Sequence, residues 1–312
     1  MIFKKPKFWD YKKPNYLSYL LFPLTVVIKL NNLFKKFNKN KKKEKIKTIC
    51  IGNIYVGGTG KTPLVLKIEK ILRDLNFNVA TIKKYYKDQI DEQKLLAKRT
   101  KLYCSKKRVN ALDDAIKDNI DVAIFDDGLQ DTSINYDLKF VCFNTEKWIG
   151  NNHLIPAGPL RENIETIKNY HAVFLNGNGE NVSEIKKKIK NYNENIKIFE
   201  ADYQIRNIEK FDTNEKYLIF SGIGNPDSFF KTLKKHNFNI VKEIRFPDHY
   251  NYSSRDLDEI KEVAKSLNVK MLTTEKDYIK INNADVVGID CLKIDLIIKE
   301  ESELKKFIKL GL

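Results

Sequence analysis

Three features of this 312-residue chain predict an α/β protein in which a parallel-sheet domain carries a phosphate-binding loop and a second, smaller α/β domain follows it. The first is the segment 52–63, Gly-Asn-Ile-Tyr-Val-Gly-Gly-Thr-Gly-Lys-Thr-Pro, which follows an apolar run and opens an amphipathic stretch. The second is Val122-Ala123-Ile124-Phe125-Asp126-Asp127-Gly128, an apolar strand that ends in two carboxylates. The third is alternation. Strand-like runs recur at 49–51, 78–82, 121–125, 138–144 and 172–176, with helical patterns between several of them, and that order implies a parallel sheet covered by helices.

Taken in chain order, the amino terminus interleaves Lys4, Lys5, Lys7, Lys12 and Lys13 with Phe3, Phe8, Trp9 and Tyr11 before an apolar stretch over 16–28. As a helix that stretch would reach only about 20 Å, against a hydrocarbon core of about 30 Å, and Pro23 interrupts it. The expectation is an interfacial segment, apolar side in the acyl boundary and lysines on anionic headgroups, rather than a span. Lys29-Leu30-Asn31-Asn32-Leu33 follows without a small-residue cleavage site, which argues against a signal peptide. The Lys- and Asn-rich run 35–47 reads as a solvated connector.

The loop 52–63 comes next. Closely spaced glycines, Gly57, Gly58 and Gly60 around Thr59, let backbone N–H groups turn inward on an anion, while Lys61 reaches the β- and γ-phosphates and Thr62 ligates Mg²⁺. Tyr55 stands where the strict spacing has glycine. Beyond the loop, Pro63 suits a first helical turn, and Leu64, Val65, Ile68, Ile71, Leu72 and Leu75 share one helical face. The acidic strand end at Asp126 and Asp127 resembles a Walker-B strand, which holds Mg²⁺ or its waters opposite the phosphates.

A second cycle begins after about residue 205, with 198–208 as the expected connection. Strand-like 217–220 leads to Ser221-Gly222-Ile223-Gly224-Asn225-Pro226, and strand-like 240–246 to Pro247-Asp248-His249. Ser253-Ser254-Arg255-Asp256 looks like a capping box, and strand-like 270–273 ends in Thr274-Glu275-Lys276-Asp277. Of the four histidines, His249 alone occupies a loop after an apolar strand, where α/β folds place functional groups.

Composition bounds the function. The 42% hydrophobic content argues against disorder, and four scattered cysteines exclude a zinc or redox pair and point to a reducing compartment. The formal charge of +16 suits anionic surfaces, but Lys, Asn and Ile are used heavily throughout; without an aromatic recognition motif or zinc module, no nucleic-acid partner is expected.

The motifs at 51–63, Asp126-Asp127-Gly128-Leu129-Gln130, Leu154-Ile155-Pro156-Ala157-Gly158-Pro159-Leu160-Arg161-Glu162, 221–226, Phe246-Pro247-Asp248-His249 and 272–277 together resemble the tetraacyldisaccharide 4'-kinase (lipid A 4'-kinase) family. The resemblance implies that ATP, with Mg²⁺, phosphorylates the 4'-hydroxyl of a tetraacyldisaccharide 1-phosphate to give lipid IVA, at the cytoplasmic face of a Gram-negative inner membrane. Carried over residue by residue, it places Lys61 and Thr62 at MgATP, Asp126, Asp127 and Glu162 at the metal, and Arg161 near phosphate. It implies a base paired with the histidine of Pro-Asp-His. The family's Gly-Asp-Glu-Pro segment is matched here by Ile90-Asp91-Glu92-Gln93, making Asp91 the base and His249 its partner. Two departures stand out: the family's Ser-Arg-Gly-Tyr-Gly block appears as Lys83-Lys84-Tyr85-Tyr86-Lys87, and the usual histidine after Asp-Asp-Gly-x-Gln is Asp131.

The expected organisation is an interfacial segment over 1–34, a P-loop nucleotide-binding kinase domain over 35–205, and a smaller α/β domain over 206–312 that closes on the site, in a monomer. The rival is a membrane-associated P-loop ATPase switch; Val56, where one switch subgroup has a signature lysine, argues against it.

Overall fold

The computed structural model describes residues 5–37, 45–177, 179, 181–282 and 284–312. Phe3, Lys4 and residues 38–44 of the expected connector lie outside them. The amino-terminal segment forms α1 (Tyr16–Leu21), one 3-10 turn and α2 (Thr25–Phe37), so the edge of the expected connector at 35–37 is helical. Among the described residues, no helix is long and apolar enough to cross a membrane.

The first sheet begins with β1 (Lys47–Gly52), β2 (Val79–Lys84), β3 (Leu102–Ser105) and β4 (Val122–Asp126), and continues through β5 (Leu138–Asn144), β6 (Ala172–Asn176) and β7 (Lys197–Ile205). The second comprises β8 (Lys216–Ser221), β9 (Asn239–Arg245), β10 (Lys270–Thr274) and β11 (Ile289–Leu292); β12 (Ile294–Ile298) then returns to the first. Strand orders are β12-β7-β6-β5-β1-β4-β2-β3 and β11-β10-β8-β9, with every pairing parallel except β12 on β7. In each sheet the chain winds both ways from an inner strand, β1 or β8, and such a reversal opens a crevice at the carboxyl ends of the strands.

Helices α3 (Lys61–Asp74), α4 (Ile90–Arg99), α5 (Arg108–Lys117) and α6 (Val182–Tyr192) cover the first sheet; α7 (Pro226–Lys235), α8 (Ser254–Leu267) and the short α9 (Glu275–Tyr278) belong to the second. The predicted face of α3 is buried: Leu64, Val65, Ile68, Ile71 and Leu72 pack on Ile49, Ile51, Ile124 and Phe140. Cys50 and Phe125 face the opposite layer, against Ala111 and Leu112 of α5. Both faces of β1 are therefore dry, as its unbroken apolar run requires. Each fully buried aliphatic side chain contributes about 1.5–3 kcal/mol, so this layer fixes where the β1–α3 loop must sit. The capping box at Ser253 and Asp256 is present at the start of α8.

Two expectations are corrected. The stretch 198–208 is not a connection: most of it is β7, a strand of the first sheet, with Phe199, Ala201 and Ile205 alternating into the core. The polar Glu200, Asp202 and Gln204 between them disguise that period. The range 206–312 is not all second lobe either. β12 pairs antiparallel with β7, from Ile294↔Ile205 to Ile298↔Ala201, and α10 (Glu301–Gly311) buries Leu304 and Ile308 in the first core. The return covers an edge strand that would otherwise expose a row of unpaired backbone groups.

Candidate active site

The loop 53–60 lies between the carboxyl end of β1 and the amino end of α3, so its N–H groups and the positive helix end converge on one point. Gly60 caps α3 with φ +86°, and a Cβ there would collide with Asn176 and the Tyr203 hydroxyl. The Asn53 amide donates to Thr59 Oγ1 at 2.9 Å and to the Gly57 carbonyl at 3.3 Å. The block 154–162 braces the loop from outside: the Val56 N–H donates to the Pro159 carbonyl (2.9 Å) and the Arg161 N–H to the Ile54 carbonyl (2.7 Å). Tyr55, the departure from the strict glycine spacing, is buried, and its hydroxyl reaches Asp10 and accepts from Lys5 Nζ. The bulky side chain thus ties the amino-terminal segment to the phosphate loop.

β4 lies beside β1 and sets Asp126 level with Ile51. Asp127 follows in the left-handed region, φ +56°, a conformation that aspartate tolerates better than most residues. Its carboxylate accepts from Arg161 Nη1 at 2.9 and 3.1 Å and lies 3.8 Å from Lys61 Nζ. Burial alone would raise the Asp127 carboxyl; Lys61 and Arg161 outweigh it and hold the group below its ordinary range. Glu162 accepts from Gln130 Nε2 at 2.8 Å, and the same Gln130 amide donates to the Asn53 carbonyl.

Among the described residues, no group of three or more His, Cys, Asp or Glu forms a ready metal cage, so Asp126, Asp127 and Glu162 do not share one. Mg²⁺ does not ask for that: it takes one or two carboxylates and completes its shell with phosphate oxygens and water. The fit is visible at Asp126 Oδ1, which is buried with no hydrogen-bond partner in the protein.

The acceptor side is assembled from both lobes. Asp91 sits in the first turn of α4, and His249 follows β9 with φ +59°, held by its N–H on the Gly222 carbonyl (3.2 Å) and on Asp248 Oδ1 (3.0 Å). His249 Nδ1 lies 2.9 and 3.1 Å from the two Asp91 oxygens. An ionised carboxylate only accepts, so Nδ1 carries a proton, while Nε2 lies 3.7 Å from Asp248 Oδ2 and 3.9 Å from Glu92 Oε1. Lys276, in α9 just after β10, places Nζ 3.1 Å from Glu92 Oε1, 3.2 Å from Asp248 Oδ1 and 3.6 Å from Asp91 Oδ2. For Asp91, burial pushes the carboxyl up, but the His249 hydrogen bond and the Lys276 charge outweigh it and keep the group below its ordinary range. Glu92 is held well below its range, burial being overcome by Lys276 and Lys83. The lysines respond in the opposite sense: burial pulls Lys276 and Lys83 down, yet the surrounding carboxylates raise both above the usual lysine value.

The lobes meet directly over the phosphate loop. A Cβ on Gly224 would stand 2.9 Å from the Gly58 nitrogen, and one on Gly58 would stand 3.0 Å from the Gly224 carbonyl carbon, so only glycine at both positions lets the two backbones approach this closely.

The structure brings the expected residues into one cleft: Lys61 beside Asp127, Asp126 one residue away, Glu162 on the loop brace, and Asp91 against His249. Sequence reasoning missed Lys276, Glu92, Lys83 and Gln130 as members of the network. Their signal was position: Lys83 stands near the carboxyl end of β2 in register with Asp126, and Lys276 follows the carboxyl end of β10 in the second sheet. Asp131, in the place of the expected histidine, accepts from Arg108 Nη1 at 3.2 Å, while Arg108 Nη2 donates to the Asp127 carbonyl at 2.6 Å and secures the β4 turn.

A phosphate loop on a parallel sheet, an acidic strand beside it and a carboxylate–imidazole pair delivered across the cleft define a two-lobed P-loop phosphotransferase. The sequence profile of the tetraacyldisaccharide-1-P 4'-kinase family matches residues 17–311. A tetraacyldisaccharide 4'-kinase of Pelagibacter ubique is 50% identical over 100% of this chain and 99% of its own length, and one of Rickettsia bellii is 35% identical over 96% of each. The chain belongs to the tetraacyldisaccharide 4'-kinase family and is a kinase of lipid A biosynthesis. The fold agrees with a crystal structure of Aquifex aeolicus LpxK described as an "apo" form in complex with ATP (TM-score 0.71, 24% identity, 95% of this chain and 99% of that one). A nucleotide switch is not favoured.

Proposed function

We propose that this chain moves the γ-phosphoryl group of MgATP to the 4'-hydroxyl of a tetraacyldisaccharide 1-phosphate, with Asp91 as the base and His249 as the group that orients it. The observation that carries the assignment is the 2.9 Å contact between His249 Nδ1 and Asp91, made across the two lobes above the phosphate loop. Phosphoryl transfer asks the protein mainly to position and to neutralise charge. Lys61 and the loop N–H groups hold the β- and γ-phosphates, and Arg161 and Lys61 screen the carboxylate of Asp127. Thr62 and Asp126 would hold Mg²⁺, with Asp127 and Glu162 directing its waters; the ion would neutralise charge between the phosphates. Asp91 stays ionised at neutral pH and accepts the proton of the attacking hydroxyl. Apposition of Gly58 and Gly224 keeps water out of the transfer.

The acceptor is a four-chain lipid, and the amino-terminal segment suits it. Tyr16, Tyr19, Leu20, Val27 and Phe34 are exposed, Leu20 by 72%, on helices that bracket the site: Asn32 donates to the Arg161 carbonyl at 3.0 Å and Trp9 Nε1 to the Pro156 carbonyl at 3.0 Å. The chain therefore sits peripherally on the cytoplasmic face of the inner membrane, apolar side chains in the acyl boundary. One chain supplies both halves of the site, which supports action as a monomer. Mass spectrometry of the lipid after incubation with MgATP tests the activity: wild type gives a product heavier by one phosphoryl group, and ATP consumption without that product would sink the reading.

A further inference from the structure

The buried cation at Lys83 is the feature that the reaction outlined above leaves unused. It is the fifth residue of β2, in register with Asp126 of β4, and its side chain is only 3% exposed. Its ammonium lies 2.7 Å from Asp126 Oδ2 and 2.8 Å from Glu92 Oε2. Glu92 adjoins Asp91 in the first turn of α4, and its other oxygen accepts from Lys276 at 3.1 Å. One unbroken line of contacts thus runs from the metal-side carboxylate Asp126 through Lys83, Glu92 and Lys276 to Asp91 and His249.

We propose that Lys83 is a positioning residue that works as a fixed cation: it occupies the point between Asp126 and Glu92 where two facing carboxylates would otherwise require a mobile cation, and it sets the acceptor base at a fixed distance from the donor site. Three consequences are built into the geometry. With Oδ2 taken by Lys83, Asp126 presents only the partnerless Oδ1 to a metal. The start of α4 has no side-chain cap, and the Lys83–Glu92 contact joins Lys276 on Glu92 and His249 on Asp91 in anchoring the turn that bears Asp91. A compact ammonium with several donors can serve two carboxylates at once, which a serine hydroxyl in its place cannot neutralise.

The inference rests on Asp91 being the base, and the test separates the two. Wild type, Asp91→Asn, Lys83→Ser and Glu92→Gln are compared for lipid phosphorylation, for equilibrium binding of MnATP, and for the number of Mn²⁺ ions bound, read by electron paramagnetic resonance. The expected result for Lys83→Ser is a fall in kcat of about 100-fold, MnATP affinity within threefold of wild type, and one additional Mn²⁺ bound between Asp126 and Glu92. Glu92→Gln, which keeps the ammonium on Asp126, is expected to lose kcat without losing nucleotide affinity and without gaining an ion. Equal loss of turnover and MnATP binding in Lys83→Ser, or an unchanged kcat, overturns the proposal. If that variant fails to fold, full turnover in Glu92→Gln overturns it by itself. An active wild type with an equally active Asp91→Asn variant would instead reject Asp91 as base.

Discussion

Around the phosphate loop the residues proposed to act are the ones a reader of the sequence would choose, whereas at the acceptor end the proposed pair is set among side chains that the sequence does not single out. Gly57 to Thr62, Asp126 and Asp127 stand out in the sequence because, on the proposed assignment, each would face a chemically fixed object, a polyphosphate or its cation. The acceptor loop has no such template. Lys83 to Lys87 departs from the family block, and Gln93 stands where proline is expected, yet Asp91 still meets His249 at 2.9 Å. The reason lies in α4 and β9: a helical first turn and a left-handed residue after a strand set the two side chains, and the buried Lys83 and Lys276 pair with the carboxylates around them. On the proposed assignment, donor chemistry rests on side-chain identity and acceptor chemistry on a charge network.

That contrast can be attacked from both ends. The largest effect belongs to Lys61→Ala, which removes the one side chain expected on the β- and γ-phosphates; kcat/KM in the lipid assay should fall by about 10³-fold or more, and a loss below tenfold would show that the donor half tolerates substitution too. Lys276→Met strikes the network instead. It should lower kcat by about 10²-fold with little change in nucleotide affinity, and it should move the acid limb of the pH–rate profile upward. The sign follows from Asp91: its folded-state carboxyl is depressed, so the ionised base and the stability it contributes are present above the ordinary carboxylate value and are lost as pH falls through the depressed one. Taking away the Lys276 charge brings that fall closer to neutrality. An acid limb that does not move would dissociate Lys276 from the base.

The smallest effect concerns the membrane. Replacing Leu20 and Val27 together by serine should weaken partition onto anionic vesicles by about tenfold, since two aliphatics that insert only partway contribute on the order of 1.5 kcal/mol together. The KM for vesicle-borne lipid should rise while MgATP binding stays constant. Sedimentation with vesicles reads the first and calorimetry the second; unchanged partition would leave these exposed side chains without a membrane role.

The same contrast explains what the sequence made legible. The core face of α3, the phosphate loop and the β4 carboxylates announce themselves through period and local spacing, because their neighbours are near in sequence or apolar. β7 did not, since polar residues alternate along a strand that becomes interior only when β12 arrives from almost a hundred residues later and covers its edge. Nor did the network of Lys83, Glu92 and Lys276: its members come from β2, α4 and α9, and only the closed pairing of the two lobes turns scattered lysines and glutamates, common in so charged a chain, into a connected array. Tyr55 is intermediate. Its departure from glycine was visible, but its purpose, an anchor for Asp10 and Lys5, requires the folded amino terminus.

Asp91 is proposed as the acceptor base despite the departures in the loop around it. Asp91→Asn keeps the shape of the side chain and removes its basicity, so single-turnover phosphorylation of the tetraacyldisaccharide 1-phosphate, measured alongside MgATP affinity, tests it most directly. The expected rate is lower by about 10²–10⁴-fold with MgATP affinity unchanged. A variant that phosphorylates the lipid at the wild-type rate would contradict it.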